Sequence, residues 1–253
     1  MDRRWYETFF GEPALDIWQN SRTDELTVTE IDYLDAVLQV DDGGTLLDLA
    51  CGNGRHAVGL AQRGYAVRGI DIAEGNRARV EGRAVAGGVE LQFEVGNIAA
   101  GALAPSNSVD AAYIWGNSFG YFEPAATRTF LSSVADALKP DGRFVIDTAM
   151  AAESILAELD RRSWFRIDSD TRVLLESRYS VRESRLDTAY TTIRGDRVVD
   201  ESVAHVWIFT CRELLVMADA AGFDALDLHG DLEGAKYQLG DDRLILILQK
   251  RFS

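Results

Sequence analysis

The stretch Thr45–Ile72, TLLDLACGNGRHAVGLAQRGYAVRGIDI, decides the fold. TLLDLA (Thr45–Ala50) reads as a short buried strand, Arg55–Arg63 as a helix, and AVRGID (Ala66–Asp71) as a second strand. Between the first strand and the helix, Gly52, Gly54 and Ala57 satisfy the GxGxxG/A spacing. Asp71 ends the next strand seventeen residues after Gly54. Strand, glycine turn, helix and strand ending on an acid, in that register, suit a nucleoside ligand lying over the first strand of a doubly wound sheet. The glycines let the backbone approach the ligand closely, and Asp71 can accept hydrogen bonds from both ribose hydroxyls.

Outward from this unit the alternation continues. A helix is expected to about Ala86, strands at Glu90–Val95 and Val109–Trp115, a helix from Pro124 to Leu138, and a fifth strand at Gly142–Thr148. Strands alternating with helices at this interval mean βαβ units and a parallel sheet. After Leu159 the texture changes to period two, with Val173, Leu175, Tyr179 and Val181 on one face, then Val203, His205, Trp207 and Phe209. Gly195-Asp196 signals a hairpin there. Thr210 caps a helix that stops at Gly222, and strands follow at Ala225–His229 and Arg243–Gln249. The first forty residues read as helical and rich in aromatics (Trp5, Tyr6, Phe9, Phe10, Trp18, Tyr33), with Thr29 as a helix cap. The class is α/β: a doubly wound, seven-stranded, mostly parallel sheet with an antiparallel insertion.

Composition narrows the function. The 253 residues are 47% hydrophobic and 26% charged, enough for one core, with 26 basic against 41 acidic residues for a net charge of −15. Nucleic acid is a poor partner for such a chain, because phosphate backbones are held by Lys and Arg. The longest aliphatic run, Leu244–Leu248, is far short of the roughly 20 residues that span a bilayer. Cys51 and Cys211 form no CxxC pair, so neither a zinc ribbon nor a disulfide framework is expected. The expected setting is cytoplasmic, as a monomer or homodimer with no membrane or metal.

Two ligand classes compete for the glycine turn. A dinucleotide would bring its pyrophosphate near Arg55, and Asp48 beside it would be an electrostatic cost. S-adenosylmethionine has no phosphate and carries a sulfonium and an ammonium, which the acid favours. The bland alternative is that Asp48 only caps the turn.

LLDLACGNGRHAVGLAQRGYAVRGIDIA (Leu46–Ala73) is similar to the first motif of class I S-adenosylmethionine-dependent methyltransferases. The N-terminal helix with Trp18 and the antiparallel insertion resemble the branch of glycine N-methyltransferase and the sugar-amine N,N-dimethyltransferases. The resemblance implies a Rossmann-like domain with residues 1–42 as a helical lid, 43–160 as the cofactor-binding core, 161–209 as an insertion over the acceptor site, and 210–253 completing the core. It implies that Asp48, Ala50, Gly52 and Gly54 line the methionine portion, Asp71 holds the ribose, Ile72 meets the adenine, and Asn97 and Ile98 meet the adenine edge. Asn97 departs from the more usual Asp, losing charge assistance while keeping an acceptor oxygen. Trp18 and Arg22 would close over the methionine carboxylate, with Tyr6 in the same lid.

The rim WGNSFGYF (Trp115–Phe122) occupies the place where the methyl group should point and holds no acid before Glu123. Trp115 and Tyr121 are candidates there for ligand contact or for packing. His56 is expected to face solvent or a loop, and His229 to be a local hydrogen-bonder. His205, beside Trp207 on the insertion, is the candidate to meet the acceptor, with Arg178, Tyr179 and Tyr190 able to bind an acidic or hydroxylated one. The function expected is methyl transfer from S-adenosylmethionine to a nitrogen or oxygen of a small molecule. A non-methylating cyclase of the same fold and a nicotinamide-dependent oxidoreductase are the alternatives.

Overall fold

The computed structural model describes residues 5–11 and 23–252. Trp18 and Arg22 lie outside the described residues. Among the described residues the first helices are a single turn, α1 (Tyr6–Phe9), and α2 (Asp24–Leu38). The cap of α2 is Thr23, whose hydroxyl accepts from the Leu26 N–H at 3.2 Å. Thr29 lies inside the helix, its hydroxyl bonded back to the Glu25 carbonyl at 3.1 Å. The earlier start follows from Asp24 and Glu25, which favour a first turn where the helix dipole is positive.

Among the described residues, the main sheet comprises β1 (Thr45–Leu49), β2 (Ala66–Asp71), β3 (Gln92–Val95), β4 (Val109–Ile114), β5 (Leu138–Thr148), β10 (Phe223–His229) and β11 (Leu244–Lys250). Their order is β10-β11-β5-β4-β1-β2-β3, and only β11 runs antiparallel to its neighbours. The order reverses at β1, so the crevice between the carboxyl ends of β1 and β4 is where such sheets bind ligands. Leu46, Leu47, Tyr113, Ile114 and Phe144 are fully buried, as expected for strands covered on both faces.

Helices α3 (Arg55–Gln62), α4 (Asn76–Gly87), α5 (Pro124–Ala137), α6 (Ala152–Ile155) and α7 (Cys211–Ala220) complete the layers. α2 buries Ile31, Leu34 and Leu38 in the same cluster as Leu46 and Val145, so it belongs to the core rather than to a lid. Gly54 lets α3 approach α4: a Cβ there would stand 3.1 Å from Val80 Cγ2. α7 opens with a capping box in which the Thr210 side chain meets the Glu213 N–H and the Glu213 carboxylate meets the Thr210 N–H. Thr210→Ala is expected to cost about 1 kcal/mol of stability, readable from a urea titration.

Between β5 and α7 stands a separate antiparallel sheet, β6 (Arg162–Arg166), β7 (Thr171–Ser180), β8 (Arg185–Arg194) and β9 (Arg197–Trp207), in that order. Gly195-Asp196 makes the β8–β9 turn, with Gly195 at φ +59°. Leu174, Glu176 and Arg178 alternate outward and are exposed. No helix among the described residues is long and apolar enough to cross a membrane.

Candidate active site

A cavity of about 270 Å³ opens over the carboxyl ends of β1 and β4. Its floor is the glycine turn. Ala50 and Gly52 both have positive φ, at 58° and 55°, and a Cβ on Gly52 would meet no atom within 4 Å. The turn therefore leaves empty space where any other residue would place a side chain. Gly52 N–H donates to Asp71 Oδ2 at 2.8 Å, while Asp71 Oδ1 accepts from Ala73 N–H at 2.9 Å and Asn76 Nδ2 at 3.1 Å. Burial pushes the Asp71 carboxyl upward and these three bonds oppose it. Acceptor capacity remains mainly on Oδ2.

Asp48, at the end of β1, is 2% exposed, and its Oδ2 has no hydrogen-bond partner among the described residues. Burial, with the like charge of Asp71 adding to it, pushes this carboxyl up to about 7. The Tyr113 hydroxyl is near enough to oppose that rise, although it falls outside ordinary hydrogen-bonding geometry. A buried carboxylate oxygen without a donor is costly, and a bound cation would relieve it.

The cavity brings together Tyr6, Asp48, Ala50, Gly52, Asp71, Ile72, Asn97, Ile98, Trp115 and Tyr121 from the residues singled out in the sequence. Asn97 is already engaged: its Oδ1 accepts from the Ala99 N–H at 2.9 Å, and its Nδ2 donates to Glu7 of α1 at 3.2 Å. Gly54 is not part of the wall. His205 is not either. Its neighbours on β9, Ala204 and Val206, face the cavity, while its Nδ1 lies 2.6 Å from Asp187 Oδ1, which also takes Arg185. His205 stands behind Trp5, with ring centroids 6.4 Å apart. Of the face expected from Val203, His205, Trp207 and Phe209, Trp207 and Phe209 are buried in the core, but none of the four lines the cavity. Val203 is 46% exposed.

His56 reverses its expectation. It is 5% exposed, and its Nε2 lies 3.0 Å from Glu30 Oε2. Burial pushes its imidazole down to about 4, so it is neutral near pH 7. Glu30 is also bonded to Arg55 and lies 3.8 Å from Arg243; the His56 hydrogen bond and the Arg55 charge hold its carboxyl well below the usual range despite burial. Arg243 grips Asp147 through Nε at 2.9 Å and a terminal nitrogen at 2.6 Å, and its guanidinium stacks 5.1 Å from the Trp115 ring. Asp147 in turn accepts from the Gly116 N–H at 2.9 Å. A buried ionic chain of two acids and two arginines thus runs from α2 to the cavity rim. Tyr33 closes the same region, its hydroxyl 2.5 Å from His229 Nδ1. Sequence reasoning found none of Glu30, Asp147 and Arg243. Each is a charged residue in an element whose other residues read as ordinary, and each acquires its partner only through the fold.

Residues 46–142 match the profile of the methyltransferase domain family. A protein of Geobacillus sp. (strain WCH70) that bears the name "Putative methyltransferase" is 30% identical over 146 residues, 56% of this chain and 54% of that one. The match thus spans about half the length of that relative. In structure, the chain is similar to the CcbJ methyltransferase from Streptomyces caelestis, with TM-score 0.82 and 18% identity over 97% of this chain and 99% of that one. It is also similar to SAM-bound CalS10, an amino pentose methyltransferase from Micromonospora echinaspora, with TM-score 0.67 and 18% identity over 92% and 94% of the two chains. The seven-stranded sheet has the fold of these methyltransferase structures, and residues 46–142 are similar to a methyltransferase domain.

Proposed function

We propose that the protein transfers a methyl group from S-adenosylmethionine to a nitrogen or oxygen of a small-molecule acceptor, within the branch of glycine and sugar-amine N-methyltransferases. The observation that carries this reading is the buried Asp48 carboxyl, whose Oδ2 has no partner in ordinary hydrogen-bonding geometry, beside the open space over Gly52. Both fit a cationic nucleoside better than a diphosphate. When bound, S-adenosylmethionine supplies a methyl group activated on a sulfonium.

The residues of the chain bind, orient and exclude water. Gly52 admits the ligand, Asp71 accepts from the ribose through Oδ2, and Ile72 and Ile98 cover the base. Trp115 and Tyr121 wall the methyl end, and Trp18 and Arg22 are assigned to the carboxylate end. Orientation and desolvation supply most of the acceleration, because the leaving thioether is already a good one. His205, held by Asp187, braces Trp5. The net charge of −15 supports a small-molecule partner over nucleic acid.

S-adenosylhomocysteine is expected to raise the melting temperature, while NAD and NADP leave it unchanged. Asp71→Ala should weaken S-adenosylhomocysteine binding by about 1–3 kcal/mol, measured calorimetrically. Equal stabilisation by NAD would remove the argument from Asp48.

A further inference from the structure

The guanidinium of Arg55 is engaged along one edge only. Arg55 opens α3 directly after Gly54, its side chain is 16% exposed, and it lines the cavity. Its Nη1 donates to Glu30 and, at 3.0 Å, to the Thr27 hydroxyl, both on α2. Among the described residues, Nε and Nη2 have no hydrogen-bond partner. Nη2 lies against the rim: a Cβ on Gly116, which lines the same cavity, would stand 4.0 Å from it. Nε and Nη2 share one edge of the planar guanidinium, and two parallel N–H bonds from such an edge match a carboxylate.

That edge is set before a ligand arrives. Glu30 is 3% exposed and accepts from Nη1, while His56 Nε2 lies 3.0 Å from the same oxygen. Its carboxyl stays ionised despite burial, through the His56 hydrogen bond and the Arg55 charge. An arginine braced in this way gives up little side-chain freedom when it binds. Two opposite charges flank the glycine turn, Asp48 before Gly52 and Arg55 after Gly54, and both line the cavity. They stand near enough that the Arg55 charge opposes the burial-driven rise of the Asp48 carboxyl. The amino-acid end of S-adenosylmethionine carries one charge of each sign.

We propose that Arg55 binds the methionine carboxylate of S-adenosylmethionine through Nε and Nη2, and that Glu30 is the positioning residue that orients it. This rests on the methyl-transfer reading and adds to the assignment of Arg22 a second cation, carried by the element that follows the glycine turn. The buried chain then has a task besides stability: Arg243 and His56 hold Glu30, and Glu30 holds Arg55. Asp48 serves the ammonium, so the turn reads both charges of the amino-acid end and selects against nucleosides that lack either one.

Calorimetry with three ligands tests this: S-adenosylhomocysteine, its decarboxylated analogue S-adenosyl-3-thiopropylamine, and methylthioadenosine, which lacks the whole amino-acid end. The wild-type protein should prefer S-adenosylhomocysteine over the decarboxylated analogue by about tenfold or more. Arg55→Gln should narrow that preference to about threefold or less, while methylthioadenosine affinity changes by less than about twofold. The double variant Arg55→Gln with Glu30→Gln strands no buried carboxylate, and should show the same narrowing if the single variant fails to fold. Glu30→Gln alone should narrow the preference by a smaller factor, whereas a merely structural role would weaken all three ligands alike. A wild-type protein without the preference, an unaltered preference in the Arg55 variants, or a parallel fall for all three ligands would overturn the proposal. An intact preference together with loss of glycine binding to the S-adenosylhomocysteine-loaded protein would assign Arg55 to an acceptor carboxylate, and would overturn it too. A wild-type protein that binds neither S-adenosylhomocysteine nor methylthioadenosine would instead refute the methyl-transfer reading itself.

Discussion

Arg243→Ala should be the most damaging single truncation in the molecule, costing about 3–5 kcal/mol in a denaturant titration. The guanidinium is 21% exposed and sits between Asp147 and Glu30, which are 4% and 3% exposed. Removing it leaves two buried carboxylates with a deficit of positive charge, and frees the Trp115 face that it covers. The size of the loss comes from that imbalance rather than from the worth of the pair itself. A double variant, Arg243→Met with Asp147→Asn, should therefore recover part of the stability lost in Arg243→Ala. Arg162→Ala, which breaks an ion pair with Glu176 in full solvent, should give no resolvable change. If the two single variants were equally stable, the buried chain would not be holding the rim.

Gly52→Val should abolish cofactor binding while the fold survives, with S-adenosylhomocysteine affinity reduced at least about a hundredfold. Two effects coincide at this residue. Its φ of +55° is a conformation that a β-branched side chain adopts only under strain. The new side chain would also occupy the open space in the turn, where no protein atom lies within 4 Å of a Cβ. Gly52→Ala should fall between the two proteins. Gly54→Val should fail differently, by wedging α3 from α4 through Val80, so its main loss should be in the melting temperature. Unchanged S-adenosylhomocysteine affinity in Gly52→Val would mean that the ligand does not cross this turn.

The contrast between these residues also marks what a sequence can carry. Gly52, Asp48 and Asp71 were legible because their meaning is local: a strand, a turn and a strand end, all within twenty-eight residues (Thr45–Ile72). The αβ alternation and the Gly195-Asp196 hairpin were legible for the same reason. Glu30 was not, because a single acid on an amphipathic helix reads as solvated until the fold brings Arg55, His56 and Arg243 to it. His56 was misjudged for that reason too. On β9 both alternations contain apolar residues, so period two alone could not tell Ala204 and Val206 from Val203 and His205. Only packing against α1 decides it.

The position of β11 bears on how the molecule comes into being. A chain leaves the ribosome N-terminus first, and domains begin to fold during synthesis. β11 is the last strand among the described residues, yet it lies inside the sheet, between β10 and β5. Until Leu244–Lys250 exist, β5 keeps an open edge, and the apolar face that Leu246 and Leu248 later fill stands uncovered. Such an edge recruits other chains. Arg243, one residue before the strand, arrives with it, so the other described elements are all translated before the rim can be locked. A chain that stops before Arg243 would thus keep an open, aggregation-prone sheet edge as well as an unlocked rim.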